Sequence, residues 1–257
     1  MTFSKSPIVM FMMLTVAVCL GCGSEEPDDN DSDTSPGTND SDTNSDAGDD
    51  TDSDTVDVSN DYFPMEVGAY WEYEEKTSTG SNFLTYTVTK KESMDFGGTT
   101  GTREVFFVEN TFDALNEKRI QFIEDDGIRA VRHGHEVYDI TETLTKTRFY
   151  VPGFLRFDRN RVTPGETWQE TVTRTTDTLD GSAVVTVDIT YDFEVISVGE
   201  PMTIDIGTFN CIVIKRQDQV DYENKYYWYA PGVGKIRELT SSGDKEEVLV
   251  NSSYLDN

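Results

Sequence analysis

Between Val185 and Val195 every second residue is apolar. Val185, Val187, Ile189, Tyr191, Phe193 and Val195 alternate with Thr186, Asp188, Thr190, Asp192 and Glu194. Period two over such a run marks a strand with one dry face and one wet face. At ~3.3 Å per residue the strand is about 35 Å long, which predicts a strongly twisted or curved sheet. Leu84, Tyr86 and Val88 alternate with threonines in the same way. Further strands are predicted at 69–77, 103–110, 119–124, 128–133, 137–151, 167–176, 209–217, 225–230, 235–240 and 246–254. Turn signals separate them: Gly97-Gly98, Thr100-Gly101, Asp126-Gly127, Asp180-Gly181 and Ser242-Gly243-Asp244. These residues tolerate positive φ. No segment carries a sustained 3.6-residue apolar stripe, and only Thr111–Lys118 suits a helical turn. The pattern predicts an all-β fold, a single antiparallel meander of about a dozen strands, strongly curved or barrel-like. A two-sheet β-sandwich is the alternative, because strand lengths alone do not separate the two.

The first sixty residues follow a different rule. Lys5 precedes a mostly apolar stretch from Pro7 to Leu20, and Gly21-Cys22 follows. That length suits the h-region of a signal peptide and is short for a membrane span. Cys19-Leu20-Gly21-Cys22 resembles the bacterial lipobox, in which a small residue precedes the cysteine that receives the diacylglyceryl group. The resemblance implies lipidation at Cys22. Residues 1–21 then read as a lipoprotein signal peptide, 22–60 as an acylated cysteine with an acidic tether, and 61–257 as a β-rich globular domain. Acyl chains on Cys22 would anchor the product, each buried CH₂ adding ~0.8 kcal/mol.

Charge sharpens this division. The chain has a formal net charge of −28 at pH 7. Residues 23–60 hold 14 acids and no base, among Ser, Thr, Asn, Gly and Pro, and residues 61–257 hold 35 acids and 20 bases. A segment so poor in apolar residues is predicted to be disordered, with an r.m.s. reach of ~35 Å. Asp40, Asp42, Asn44 and Asp46 alternate as calcium-loop ligands do, but Ser45 and Thr51 stand where that loop needs Gly and Glu. Acidic residues soon after the cysteine resemble export signals that send some lipoproteins to the cell exterior. The domain's own excess of acid argues against nucleic acid and against broad adhesion to anionic headgroups. Cys19 leaves with the signal peptide and Cys22 is acylated, so Cys211 stands alone and no internal disulfide is possible.

Four motifs carry a family resemblance. Tyr62-Phe63-Pro64-Met65 with Gly68 precedes Trp71-Glu72-Tyr73. Pro164-Gly165-Glu166-Thr167-Trp168 lies in the centre. Gly207-Thr208-Phe209 with Cys211 follows, and Trp228-Tyr229-Ala230-Pro231-Gly232-Val233-Gly234 closes the set. Together they resemble a group of uncharacterised bacterial envelope lipoprotein domains. The resemblance implies location and fold, and no activity. Read physically, Trp71 with Tyr73 and Tyr227 with Tyr229 each share a strand face, suited to a core or to an aromatic ligand wall.

The inventory for catalysis is thin, and neither a catalytic residue, a metal nor a cofactor is predicted. His133 and His135 would share one face of a strand, which permits two metal ligands, but no Cys or third His supports them, and a solvated turn is the favoured reading. Cys211 reads as a buried inert thiol. Glu166 reads as a solvated turn carboxylate. No nucleophile elbow, zinc-protease helix or phosphate loop is present. One segment stands apart. Residues 146–161 carry Lys146, Arg148, Arg156, Arg159 and Arg161 against the single acid Asp158, with Phe154 and Leu155 beside Pro152-Gly153. Lys146, Arg148 and Arg156 suit an anionic head group and Phe154 and Leu155 an acyl tail at an exposed turn. The plain alternative is that the bases neutralise acidic neighbours while the apolar residues fold under. The expectation is a non-enzymatic, lipid-anchored module of the bacterial outer membrane that binds or scaffolds an anionic amphiphile, an envelope glycan or a protein. A structural module without a small ligand, and a hydrolase with an unrecognised acidic site, are the alternatives.

Overall fold

The computed structural model describes residues 61–112, 117–220 and 222–255. The signal segment, Cys22 and the acidic stretch through Asn60 lie outside them. Twelve strands follow one another: β1 Tyr70–Thr77, β2 Gly80–Asp95, β3 Thr102–Phe112, β4 Glu117–Asp125, β5 Arg129–Tyr138, β6 Leu144–Asp158, β7 Thr167–Asp177, β8 Val185–Ile204, β9 Gly207–Asp218, β10 Asn224–Ala230, β11 Gly234–Thr240 and β12 Lys245–Ser252. Each pairs antiparallel with its neighbours in sequence, and β1 pairs with β12 to close a barrel. The predicted antiparallel meander thus closes into a barrel. The sandwich is excluded by the β1–β12 ladder, which runs from Trp71 opposite Ser252 to Thr77 opposite Lys245. Closure leaves the sheet without an outer edge strand. The described part of Thr111–Lys118 belongs to β3 and β4, and residues 113–116 lie outside the described residues.

Two strands depart from the sequence pattern for identifiable reasons. The long strand β8 continues nine residues past Val195, to Ile204. Register shifts between Val195 and Ser197 and between Val198 and Glu200 break the alternation there. A bulge inserts a residue, so the period-two signal stops while the strand goes on. Strand β6 differs more. Pro152-Gly153 is not a turn, because β6 runs through it from Leu144 to Asp158. Gly153 is required by close approach: a Cβ there would sit 2.3 Å from Val131 Cγ1, and its φ is +150°. The reversal lies upstream, where Asp139 Oδ1 accepts hydrogen bonds from the amides of Thr141 (2.8 Å) and Thr143 (3.0 Å). An aspartate side chain closes this loop in place of Gly or Pro.

The meander gives the barrel two unlike ends. The β2–β3, β4–β5, β6–β7, β8–β9 and β10–β11 connections lie at one end with the incoming segment Asp61–Met65, which seals it. Tyr62 packs on Phe157 (5.6 Å between ring centroids) and Phe63 on Tyr229 (6.2 Å). Arg159 pins the segment by hydrogen bonds to Asp61 Oδ1 (2.8 Å) and the Phe63 carbonyl (3.0 Å) while also pairing with Asp125 (2.9 Å). Gly232 N donates to the Asp61 carbonyl (2.8 Å), and Trp71 Nε1 donates to the Val233 carbonyl (2.7 Å). A Cβ on Gly234 would come within 3.3 Å of that indole nitrogen, at a φ of +100° that favours glycine. The motif-bearing segments at 62–73 and 228–234 thus meet in one place, the floor of the barrel. Cys211 is fully buried here, with its thiol pushed up to about 12 by burial and then by Glu200. The other six hairpins surround the opposite end, the mouth.

Candidate functional site in the barrel lumen

Eight strands make a barrel that side chains just fill, and larger barrels leave a lumen. Twelve strands here enclose a cavity of about 570 Å³. Its chemistry follows from the inward-facing rows, which change character along their length. On β1 the row from floor to mouth is Trp71, Tyr73, Glu75; on β9 it is Ile212, Ile214, Arg216, Asp218; on β12 it is Leu249, Glu247, Lys245. Strand β7 passes from Val172 to Arg174, and β4 from Ile123 through Gln121 to Arg119. The apolar half forms the core and the charged half lines the cavity.

Charge in the lumen runs against that of the domain. Nine bases and five acids line the cavity, whereas residues 61–257 as a whole hold 20 bases and 35 acids. The two walls differ. Beside β1, β11 and β12, lysines and glutamates form an ion-pair ladder. Lys235 Nζ lies 3.0 Å from Glu238 and 2.6 Å from Glu247, and Lys245 bridges Glu247 (3.1 Å) to Glu75. Burial alone would lower the Lys235 ammonium, but Glu238 and Glu247 hold it well above its ordinary range. Burial alone would raise Glu238, but Lys235 and then Lys225 hold it far below the ordinary carboxylate range.

The facing wall is built from arginines. Among the described residues, none of Arg132, Arg148, Arg156, Arg174 and Arg216 has a carboxylate within ion-pair distance. Their partners are rings and neutral groups. The Arg132 guanidinium lies 5.0 Å from the Tyr150 and 5.0 Å from the Phe154 ring centroid, and it donates to Gln121 Oε1 (3.1 Å) and Tyr150 Oη (3.1 Å). Arg216 lies 4.9 Å from Phe154, 5.1 Å from Tyr227 and 5.4 Å from Tyr191. Arg156 lies 6.0 Å from Phe154, and Arg148 Nε donates to Thr176 Oγ1 (3.2 Å). Burial draws the Arg132 pKa down to about 10; Tyr150 pulls it up, while Arg156, Arg216 and Arg119 add to the fall.

No protein-family model matches this chain, and no curated protein matches it. Two solved structures resemble it. One is a Bacteroides fragilis protein described as exported, with a YmcC-like fold; it is 16% identical over 74% of this chain and 98% of its own, with a TM-score of 0.44. The other is a Parabacteroides distasonis protein described as a lipoprotein; it is 16% identical over 75% of this chain and 98% of its own, with a TM-score of 0.43. Likenesses this distant carry no ligand or activity across.

The residues singled out at 146–161 divide between three places. Arg148 and Arg156 line the lumen, and Lys146 lies two residues from Arg148 on the same strand, half-buried toward the mouth. Phe154 is buried against the lumen arginines and Leu155 in the apolar cluster with Val172 and Phe193, so the exposed apolar turn does not exist. Arg159 and Arg161 are at the floor, paired with Asp61, Asp125, Asp158 and Glu166. That half of the segment follows the plain alternative.

The histidines also sit differently from a solvated turn. Both are buried in β5, and the register shift between Arg132 and Gly134 separates their surroundings. His133 Nε2 is 2.7 Å from Glu124 Oε2, with its ring 4.8 Å from Phe96. His135 lies 6.5 Å from Tyr150, and burial followed by Arg132, Arg119, Arg148 and Lys146 pushes its pKa down to about 2. Among the described residues no group of three His, Cys, Asp or Glu could hold a metal ion. Glu166 is a turn carboxylate paired with Arg161 at 2.7 Å. Sequence reading missed Arg132, Arg174 and Arg216. The available signal was a base two residues from a buried apolar position, as in Val172-Thr173-Arg174 and Ile214-Lys215-Arg216.

Proposed function

We propose that this chain is a lipid-anchored module of the bacterial outer membrane whose barrel lumen binds an anionic ligand. One observation carries the reading: the lumen concentrates base inside an acidic domain and leaves five arginines without carboxylate partners among the described residues. A cavity of about 570 Å³ lies within the range of small-molecule sites. Export and anchoring rest on the signal segment, on Gly21-Cys22 and on the resemblance of the four motifs to envelope lipoprotein domains. A hydrolytic reading is less well supported, because the buried carboxylates Glu238 and Glu247 share Lys235 in ion pairs. A general acid needs its proton near neutral pH.

Thermal unfolding of the full-length protein in nonionic detergent tests the binding reading. An anion at a hundredfold excess over its Kd adds ~2.7 kcal/mol, a rise in Tm of roughly 5–10 °C for a domain of this size. Pyrophosphate and citrate are expected to raise Tm and added salt to reduce the gain. An unchanged Tm with every anion would overturn the reading. For the anchor, Cys22→Ser is expected to move the protein from the membrane to the soluble fraction or leave it unprocessed, and Cys19→Leu to leave processing intact. Acyl labelling that survives Cys22→Ser would exclude Cys22 as the lipidated residue.

A further inference from the structure

The lumen's lining also defines which anion it takes. Phe154 is the hub of the arginine wall. Guanidinium groups from three separated points of the chain, Arg132 on β5, Arg156 on β6 and Arg216 on β9, lie within 4.9–6.0 Å of its ring. A ring quadrupole attracts each cation but neutralises none. Three like charges therefore face one another in a half-buried setting, and the Nε atoms of Arg132 and Arg156 have no hydrogen-bond partner. A tetrahedral oxyanion offers oxygens in several directions, whereas a carboxylate is satisfied by one bidentate arginine. The opposite wall presents Glu238, Glu247 and Tyr86, which accept or exchange hydrogen bonds with hydroxyl groups. Below the lumen, the apolar recess among Phe63, Pro64, Met65, Trp71 and Tyr73 measures about 60 Å³. That is room for a few waters and not for an alkyl chain.

We propose that the lumen binds a phosphate ester carried on a hydroxyl-rich body of sugar size, its phosphate held by Arg132, Arg156 and Arg216 around Phe154, with any acyl chain left outside. This rests on the anion-binding reading and names its ligand class. The ester has two sources, a free sugar phosphate or a phosphorylated saccharide head group on a lipid, and both present the same chemistry to the arginines.

Isothermal titration calorimetry on the full-length protein in nonionic detergent tests it. The probes are glucose 6-phosphate, inorganic phosphate, glucose and laurate. Glucose 6-phosphate is expected to bind at least tenfold more tightly than inorganic phosphate, while glucose and laurate give no saturable heat. Arg132→Gln combined with Arg216→Gln should weaken glucose 6-phosphate tenfold or more. The same double variant loses like-charge repulsion but also the Arg132 hydrogen bonds to Gln121 and Tyr150, so its Tm and circular dichroism without ligand are measured beside wild type to show that the loss of binding occurs in a folded barrel. Arg103→Gln, on an exposed side chain paired with Glu124, should leave binding unchanged. A phosphorylated head group excised from its lipid should bind as well as the intact lipid if the chain stays outside; tighter binding of the intact lipid would overturn that part. Equal affinity for inorganic phosphate and glucose 6-phosphate would mean an adventitious ion only and overturn the ligand class. Laurate binding above the sugar phosphate would also overturn the class, while leaving an anion-binding lumen in place. Absence of binding by any anion would overturn both readings.

Discussion

Replacing Lys235 by Met is expected to destabilise the barrel by about 3–5 kcal/mol at neutral pH, the usual cost of breaking a buried ion pair from one side. Lys235 is the shared cation of two buried carboxylates, at 3.0 Å from Glu238 and 2.6 Å from Glu247, and its ammonium lies 4.8 Å from the Tyr73 ring centroid. Without it Glu238 keeps Lys225 at 3.5 Å and Glu247 keeps Lys245 at 3.1 Å, so each buried carboxylate loses its nearer cation. The pH dependence identifies the cause. In the wild type Glu238 is depressed, so its contribution is present above the ordinary carboxylate pKa and is lost as pH falls below it. Lys235 is raised, so its contribution is present below the ordinary lysine pKa and is lost as pH rises beyond it. The gap between wild type and Lys235→Met is therefore largest from pH 6 to 9, by about the whole pairing effect, and narrows in acid as Glu238 takes up its proton. Urea unfolding followed by circular dichroism at several pH values measures it. A gap that stays constant down to pH 3 would show that the loss is one of packing and not of charge.

Ile189→Asp is expected to unfold the domain or cost several kcal/mol, since it places an unpaired charge in the apolar half of the barrel. Ile189 is 2% exposed in the centre of β8, in one cluster with Val172, Tyr191 and Val195. Thr190 points the other way, and its hydroxyl meets that of Thr171 at 2.9 Å on the outer wall. Thr190→Asp should cost less than about 1 kcal/mol, the range of most surface changes. Val187, half-buried nearer the mouth, should fall between the two. Equal losses at 189 and 190 would mean that β8 is covered on both faces.

Much of the fold was readable because meanders are local. Alternation at Val185–Val195 and at Leu84–Val88, with Gly or Asp-Gly between strands, specified neighbours that pair directly. The reading failed where chemistry imitated another signal. Pro152-Gly153 resembles a turn, yet the glycine serves close strand packing; the Asp139–Thr143 reversal lacks Gly and Pro, yet an aspartate side chain closes it. The lumen was harder to see. A charge on a strand is ordinarily assigned to the wet face, and that rule holds while the inward face is dry throughout. In a barrel this wide the inward face is dry at the floor and wet at the mouth, so Arg174 and Arg216 follow buried Val172 and Ile214 in the same phase. Arg148 and Arg156 were noticed for their density in sequence, and the partners that give them meaning, Arg132 and Arg216, come from β5 and β9. Only closure of the sheet brings those together.

An even number of strands has a consequence for how this molecule can be altered. The described chain enters and leaves at the same end: Ser253 N donates to the Tyr70 carbonyl (3.2 Å), and Tyr254 packs on Trp71 (5.6 Å). Both ends of the described chain are thus committed to the floor, and among the described residues the mouth is made of hairpins. A circular permutant that links the ends and opens at Ser241–Asp244 would keep every strand pairing and interrupt only one loop. Lengthening a mouth loop would likewise change what the lumen admits without disturbing the floor, which separates the part of the molecule that selects from the part that holds it shut.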